Sequence, residues 1–296
     1  MSATAMKTPP PSSAAGAALS TTRPKARKLP IVRWVSIAIL LIALVLLIAG
    51  RWLTPYDPTV QDLTSVFAGP SWQHWLGTDD LGRDILSRMI AGGQATIAAS
   101  LFAVFVALVL GLPVGIAAGY FGGWVDTVLM RIVDTLLAFP AIVLAIGVTA
   151  SMGIGLVNAM LAVGIVLAPA IARLARAQTL SVKELTYVEA ARSFGAKGFR
   201  GLILPHIVPN MIQPVIVQTS VIFGHAMLAE ASLSFLQLGV QAPGSSWGAV
   251  LSRAYSFMSQ APLAILIPGI AIALMVFAAN IMADEAQEWL DPKRRT

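Results

Sequence analysis

Apolar positions along the chain gather into long runs rather than into alternating or narrow helical stripes. Six stretches, Ile31 to Ala49, Thr96 to Tyr120, Val128 to Ala150, Leu156 to Leu174, Met211 to Ser232 and Pro262 to Met282, approach the length with which a helix crosses hydrocarbon, about 20 residues. Each is expected to be a transmembrane helix. One polar segment breaks this rhythm, YVEAARSFGAKGFRGLILPHIVPN (187–210), between the fourth and fifth runs.

Within that neighbourhood Ser181 and Glu184 have the spacing of a capping box, so a helix is expected from about Val182 to Phe194, closed by Gly195 in the left-handed conformation. Tyr187, Ala190, Ala191 and Phe194 then share one face, at i, i+3, i+4 and i+7. Outside the bilayer such a face needs a cover, and the residues alone leave open whether the same chain or a partner supplies it.

The remaining organisation follows. Residues 1–30 are rich in Pro, Ser, Ala and Thr, lack any acid and read as a disordered tail. Residues 31–53 are expected to form a first span rather than a cleaved leader, since the apolar core is long and no Ala-x-Ala site follows Gly50. An extracytoplasmic loop (54–93), a core (94–284) containing a cytoplasmic loop (177–210) and a cytoplasmic tail (285–296) complete the division.

Composition agrees with a membrane protein: 57% of the 296 residues are hydrophobic and 11% charged, against about 25% charged in soluble domains. Mean hydropathy is +0.78. A net charge of +6 therefore reports topology rather than nucleic acid binding. With the amino terminus inside, sixteen of the 20 lysines and arginines fall on inner segments, leaving Arg51, Arg83, Arg88 and Arg253 outside. Both termini and the 187–210 segment are then cytoplasmic.

Gly111, Gly115, Gly119 and Gly123 recur every four residues and offer a face for close helix approach. Pro113, Pro140, Pro169, Pro214 and Pro268 are expected to interrupt spans.

Candidate chemistry is sparse. There is no cysteine, hence no disulfide or thiolate site. Gly244-Ser245-Ser246-Trp247-Gly248 fits the GxSxG of serine hydrolases, but a turn-like stretch precedes it where that elbow needs a strand, so an outer connecting loop is the expected reading. Arg131 and Asp134 can neutralise each other along one helix face. Glu230 and His225 are intramembrane ionisable residues, the marks of an ion-coupled transporter if they carry function. His74, His206 and His225 have no metal-ligand spacing, so no metal is assigned. The acidic outer loop, with Asp57, Asp62, Asp79, Asp80 and Asp84, either meets a substrate-delivering protein or starts an interfacial helix capped by Thr78 or Asp79.

The stretch Glu189-Ala190-Ala191 with Gly195 resembles the cytoplasmic loop motif of permeases of ATP-binding cassette (ABC) importers. Together with HWLGTDDLGRDILSRM (74–89), GYFGGWVDTVLMRIVDTLLAFP (119–140) and EASLSFLQLGVQAPGSSWGAVLS (230–252), the chain resembles the dipeptide and oligopeptide permease family, its C-type subunit in particular. The family motif continues after the glycine with nine residues, Ile, any residue and LeuPro. Here Ile203-Leu204-Pro205 falls early and Ile207-Val208-Pro209 sets its proline one residue late, so the carry-over stops at Gly195.

The resemblance implies an all-α, six-span, non-catalytic subunit in a bacterial cytoplasmic membrane. It implies as partners a homologous permease, two ATPase subunits seated on Glu189, Ala190, Ala191 and Gly195, and an extracytoplasmic solute-binding protein. ATP and Mg would reside in the ATPases, for the chain has no GxxxxGK[ST] loop. Di- or oligopeptides are the implied cargo. Nickel or another small ligand, and an ion-coupled secondary transporter, are the alternatives.

Overall fold

The computed structural model describes residues 30–261 and 263–290. Among them lie nine α-helices: α1 (Pro30–Ala49), α2 (Ile85–Phe121), α3 (Gly123–Leu137), α4 (Ala141–Met152), α5 (Leu156–Lys183), α6 (Thr186–Ser193), α7 (Val208–Phe235), α8 (Trp247–Ser256) and α9 (Leu263–Leu290). A π-helical segment, Phe199–Ile207, leads into α7. The architecture is all-α, with one isolated bridge between Thr78 and Asp84.

Five helical stretches are long and apolar enough to span a bilayer, and α3 with α4 makes a sixth that is bent by 94°. The expected count of six is met only through that bent pair. Pro140 is the cause, since a proline lacks an N–H and disfavours helix in the residue before it. The other expected interruptions do not occur: α2, α5, α7 and α9 run through Pro113, Pro169, Pro214 and Pro268. Those four helices pack extensively on one another, whereas α3 and α4 meet at exposed Phe139 and Pro140.

At the centre, α2 and α5 run parallel and in register. A Cβ built on Gly111 would stand 2.6 Å from the Ala168 carbonyl oxygen, one on Gly115 2.2 Å from that of Ala172, and one on Gly119 2.7 Å from Thr179 Cβ. Three of the four repeated glycines thus allow the contact. In hydrocarbon, where apolar burial drives little, such close approach is what holds two helices together. Gly123 instead opens α3, just past Gly122 at the junction with α2, with φ of +52°.

Around this pair, α7 packs on α2, α5 and α9, α1 lies outside on α2 and α9, and α8 wedges between α7 and α9. The main apolar core runs through α2, α5, α7 and α9. A second, smaller core of Ala175, Val182, Val188, Leu202, Ile203, Ile207 and Met211 occupies the end of the bundle where α6 sits.

Helix α2 begins eleven residues before the expected Thr96, because Asp84 rather than Thr78 or Asp79 caps it, accepting from Ser87 N at 2.7 Å. Thr78 is buried and accepts instead from Ala68 N at 2.8 Å. Asp79 accepts from Leu81 N and Arg83 N and pairs with the Arg83 side chain. Pro262, the expected start of the last span, and the tails 1–29 and 291–296 lie outside the described residues.

Candidate functional site

The capping box expected at Ser181 does not form. Helix α5 continues through Ser181 to Lys183, since burial of Ala175 and Val182 in the second core keeps the ladder going past the local signal. A break at Glu184 and Leu185 follows, and α6 starts at Thr186 without a side-chain cap.

Helix α6 turns one residue inward: Val188 is fully buried in the second core. Tyr187 is 48% exposed and Phe194 91%, Glu189 and Ala190 are exposed, and Ala191 is half-buried. The apolar stripe legible in the sequence is therefore the face that this chain leaves largely uncovered. Glu189 lies in the first turn and Arg192 in the last, each at the helix end whose dipole favours its charge.

Gly195 closes the helix as expected, with φ of +92° and its N–H bonded to the Arg192 carbonyl at 3.0 Å. No atom lies within 4 Å of a Cβ built there, so this glycine serves the backbone turn and not a close approach. Thus Glu189, Ala190, Ala191 and Gly195 come together on one short, exposed element.

Sequence reasoning missed how this element is fastened. The Tyr120 hydroxyl, at the end of α2, accepts from Gly198 N at 2.8 Å. Asn210 Nδ2, at the start of α7, donates to the Tyr187 hydroxyl at 2.8 Å and to the His206 carbonyl at 2.6 Å. Lys183 Nζ donates to the Gly119 carbonyl at 3.0 Å. No local pattern announces these partners, which are up to 78 residues apart in the chain.

The displaced second half of the motif also finds a physical account. Between Phe199 and Ile207 the backbone is π-helical, and the Val208 N–H reaches back five residues to the Ile203 carbonyl. Each such turn holds one residue more than an α-turn. An extra residue before Pro209 is absorbed there while Leu202, Ile203 and Ile207 stay buried.

The other candidates lie elsewhere. Asp134 pairs with Arg173 of α5 at 2.7 Å rather than with Arg131. Asp126 pairs in two-pronged fashion with Arg176. His74 contacts Asp84 at 3.0 Å, His206 lies beside Tyr187, and His225 is in α7.

Ser246 is fully buried and caps α8, accepting from Ala249 N at 3.0 Å. No strand precedes it, so the elbow geometry of a hydrolase is missing. Glu230 is buried at the α8 end of the bundle. It accepts from Ser234 Oγ at 2.7 Å and from Thr96 Oγ1 at 3.2 Å, and Thr96 in turn accepts from Trp247 N at 2.9 Å. Asp80 and Arg253 form a two-pronged pair at 2.6 and 2.8 Å that fastens the 53–84 loop to α8 and raises the arginine's proton affinity. In the same loop Asp62 is held at a pKa of about 2 by bonds from Ser65 and Thr64, so it stays charged at any ordinary pH.

Comparison with known proteins fits this arrangement. Residues 111–296 match the family described as "Binding-protein-dependent transport system inner membrane component". The chain is 44% identical over 266 residues to the glutathione transport system permease protein GsiD of Pectobacterium atrosepticum, covering 88% of each chain. To the GsiD of an Escherichia coli O6:K15:H31 strain it is 44% identical, covering 86% of this chain and 84% of the relative. Its fold is similar to a chain of the MetNI methionine ABC transporter in inward-facing form, with a TM-score of 0.59 at 17% identity, over 70% of this chain and 98% of that one. The chain belongs to the binding-protein-dependent transport system inner membrane components, and is a permease subunit, the non-catalytic membrane part, of an ABC importer.

Proposed function

We propose that this permease lines, with a homologous permease, the path by which short peptides enter the cell, and that α6 is its coupling helix. Glu189, Ala190, Ala191 and Gly195 seat in a groove of a cytoplasmic ATPase subunit, one of two in the assembly. ATP and Mg are bound there and not by this chain. A solute-binding protein delivers cargo on the opposite side, the side of α8 and the 53–84 loop. The membrane is the bacterial inner membrane, with both termini cytoplasmic, a placement supported by the lysine and arginine asymmetry.

The observation that carries the reading is the exposure of Phe194 and Tyr187 on a helix whose one inward anchor is Val188. Bulky aromatic groups outside hydrocarbon and uncovered by their own chain mark a protein interface. Peptide cargo is supported by the GsiD relatives, since glutathione is a tripeptide. Nucleotide shifts the path between outward and inward access only by its differential affinity for the two arrangements, and α6 is the point at which that difference enters the bundle.

The test is uptake in proteoliposomes holding the whole transporter. An Ala191→Arg chain is expected to insert normally and to lose ATP-driven uptake of a radiolabelled tripeptide. Undiminished uptake with normal ATPase association refutes the reading.

A further inference from the structure

Helix α6 is short and exposed, so a load applied to its outer face leaves through the chain that joins it to α5 and to the π-helical segment, and through a few side-chain contacts. One is the packing of Val188. The Tyr187 ring also lies beside His206, and two further contacts are hydrogen bonds to tyrosine hydroxyls that lead to different helices. Tyr187 is bonded to Asn210 in the first turn of α7, and Gly198, just beyond α6, is bonded to Tyr120 in the last turn of α2.

These two helices have a common destination. The C-terminal third of α2 is locked to α5 by Gly111, Gly115 and Gly119, and the Lys183 bond to the Gly119 carbonyl ties their last turns together. A displacement of Tyr120 therefore moves α2 and α5 as one body. Helix α7 runs to the other end of the bundle, where its Glu230 meets Thr96 of α2, which also holds the first N–H of α8. Both rods end on the same short helix.

We propose that Tyr120 and Tyr187 are positioning residues that make α6 a two-point yoke, so that nucleotide-driven movement of α6 displaces α2 with α5 and α7 together. This rests on α6 being the coupling helix. A yoke with one arm loosened moves one rod less fully than the other, and hydrolysis then proceeds with less transport. A purely structural role for the same hydroxyls would lower thermal stability and leave the ratio of cargo moved to ATP hydrolysed unchanged.

The experiment compares wild type, Y120F and Y187F in the complete transporter, reconstituted in proteoliposomes, with radiolabelled tripeptide uptake and phosphate release measured on the same vesicles. Each substitution removes one hydroxyl and keeps the ring. Uptake per ATP is expected to fall about threefold in Y120F, whose bond is partly buried, and about twofold in Y187F, whose bond is exposed, a size suited to the loss of one neutral hydrogen bond. ATPase co-purification is expected to stay at the wild-type level in Y120F, whose ring lies on α2 away from the exposed α6 stripe, and in Y187F uptake per ATP is compared at matched ATPase content. A wild-type ratio in both variants, or in either one alone, overturns the yoke. Should Y120F fail to assemble, the Y187F ratio decides. The A191R chain serves as the companion arm: lost uptake there with wild-type ratios in both tyrosine variants sinks the yoke alone, whereas normal uptake there sinks the coupling reading beneath it.

Discussion

The two ends of the bundle solve opposite problems. At the α8 end the polar groups find partners inside the chain: Glu230 with Thr96 and Ser234, Asp80 with Arg253, Asp84 with Ser87 and His74. At the α6 end the charges are mostly in water, and it is aromatic groups, Tyr187, Phe194 and Phe199, that face outward. Buried polar groups need partners at once, because leaving one unpaired costs about 1–3 kcal/mol. Exposed aromatics can wait for another protein. The α8 end thus satisfies its buried polar groups within the chain, while still exposing Trp52, Trp72 and Trp75 on its loop; the α6 end has few buried polar groups to satisfy and presents aromatic side chains on a short helix.

Three substitutions test that contrast through the stability of the isolated permease in detergent. Glu230→Ala strips the acceptor from two buried hydroxyls, and a loss of about 2 kcal/mol is expected, read as a lower Tm. Arg253→Ala breaks a pair whose arginine side chain is 37% exposed, so solvent screening limits the loss to about 1 kcal/mol or less, seen chiefly at low salt. Phe194→Ser removes a ring that is 91% exposed and should change stability by no more than about 0.5 kcal/mol, while ATPase capture by the purified permease declines. Equal losses for Glu230→Ala and Phe194→Ser would erase the distinction between the ends.

Much of this was legible in the residues. The spans follow from length and apolarity, and the exposed stripe on α6 and the turn at Gly195 follow from spacing and from glycine's freedom at positive φ. What the sequence misplaced were choices settled by distant neighbours. Ser181 has a cap's chemistry, but Val182 has a core to fill, and the core won. Asp134 has Arg131 three residues away, yet Arg173 reaches it from α5. Five prolines look alike in the chain. Pro113 and Pro169 sit in helices clamped along the glycine seam, whereas Pro140 joins two peripheral helices and bends them. The tyrosine bonds to Gly198 and Asn210 had no signal to find, because each pairs a common side chain with a partner fixed only by the fold.

Two glycines in this chain would answer differently to a mirror-image amino acid. At Gly195 the backbone has φ of +92° and open space around it, so D-alanine would fit as well as glycine, and only L-alanine is refused. At Gly115 the methyl group of L-alanine would meet the carbonyl of Ala172, so there L-alanine is refused for its bulk and not for its backbone handedness. With only one enantiomer available, synthesis must use the same achiral residue for both duties, though one position asks for the opposite hand and the other asks for nothing at all.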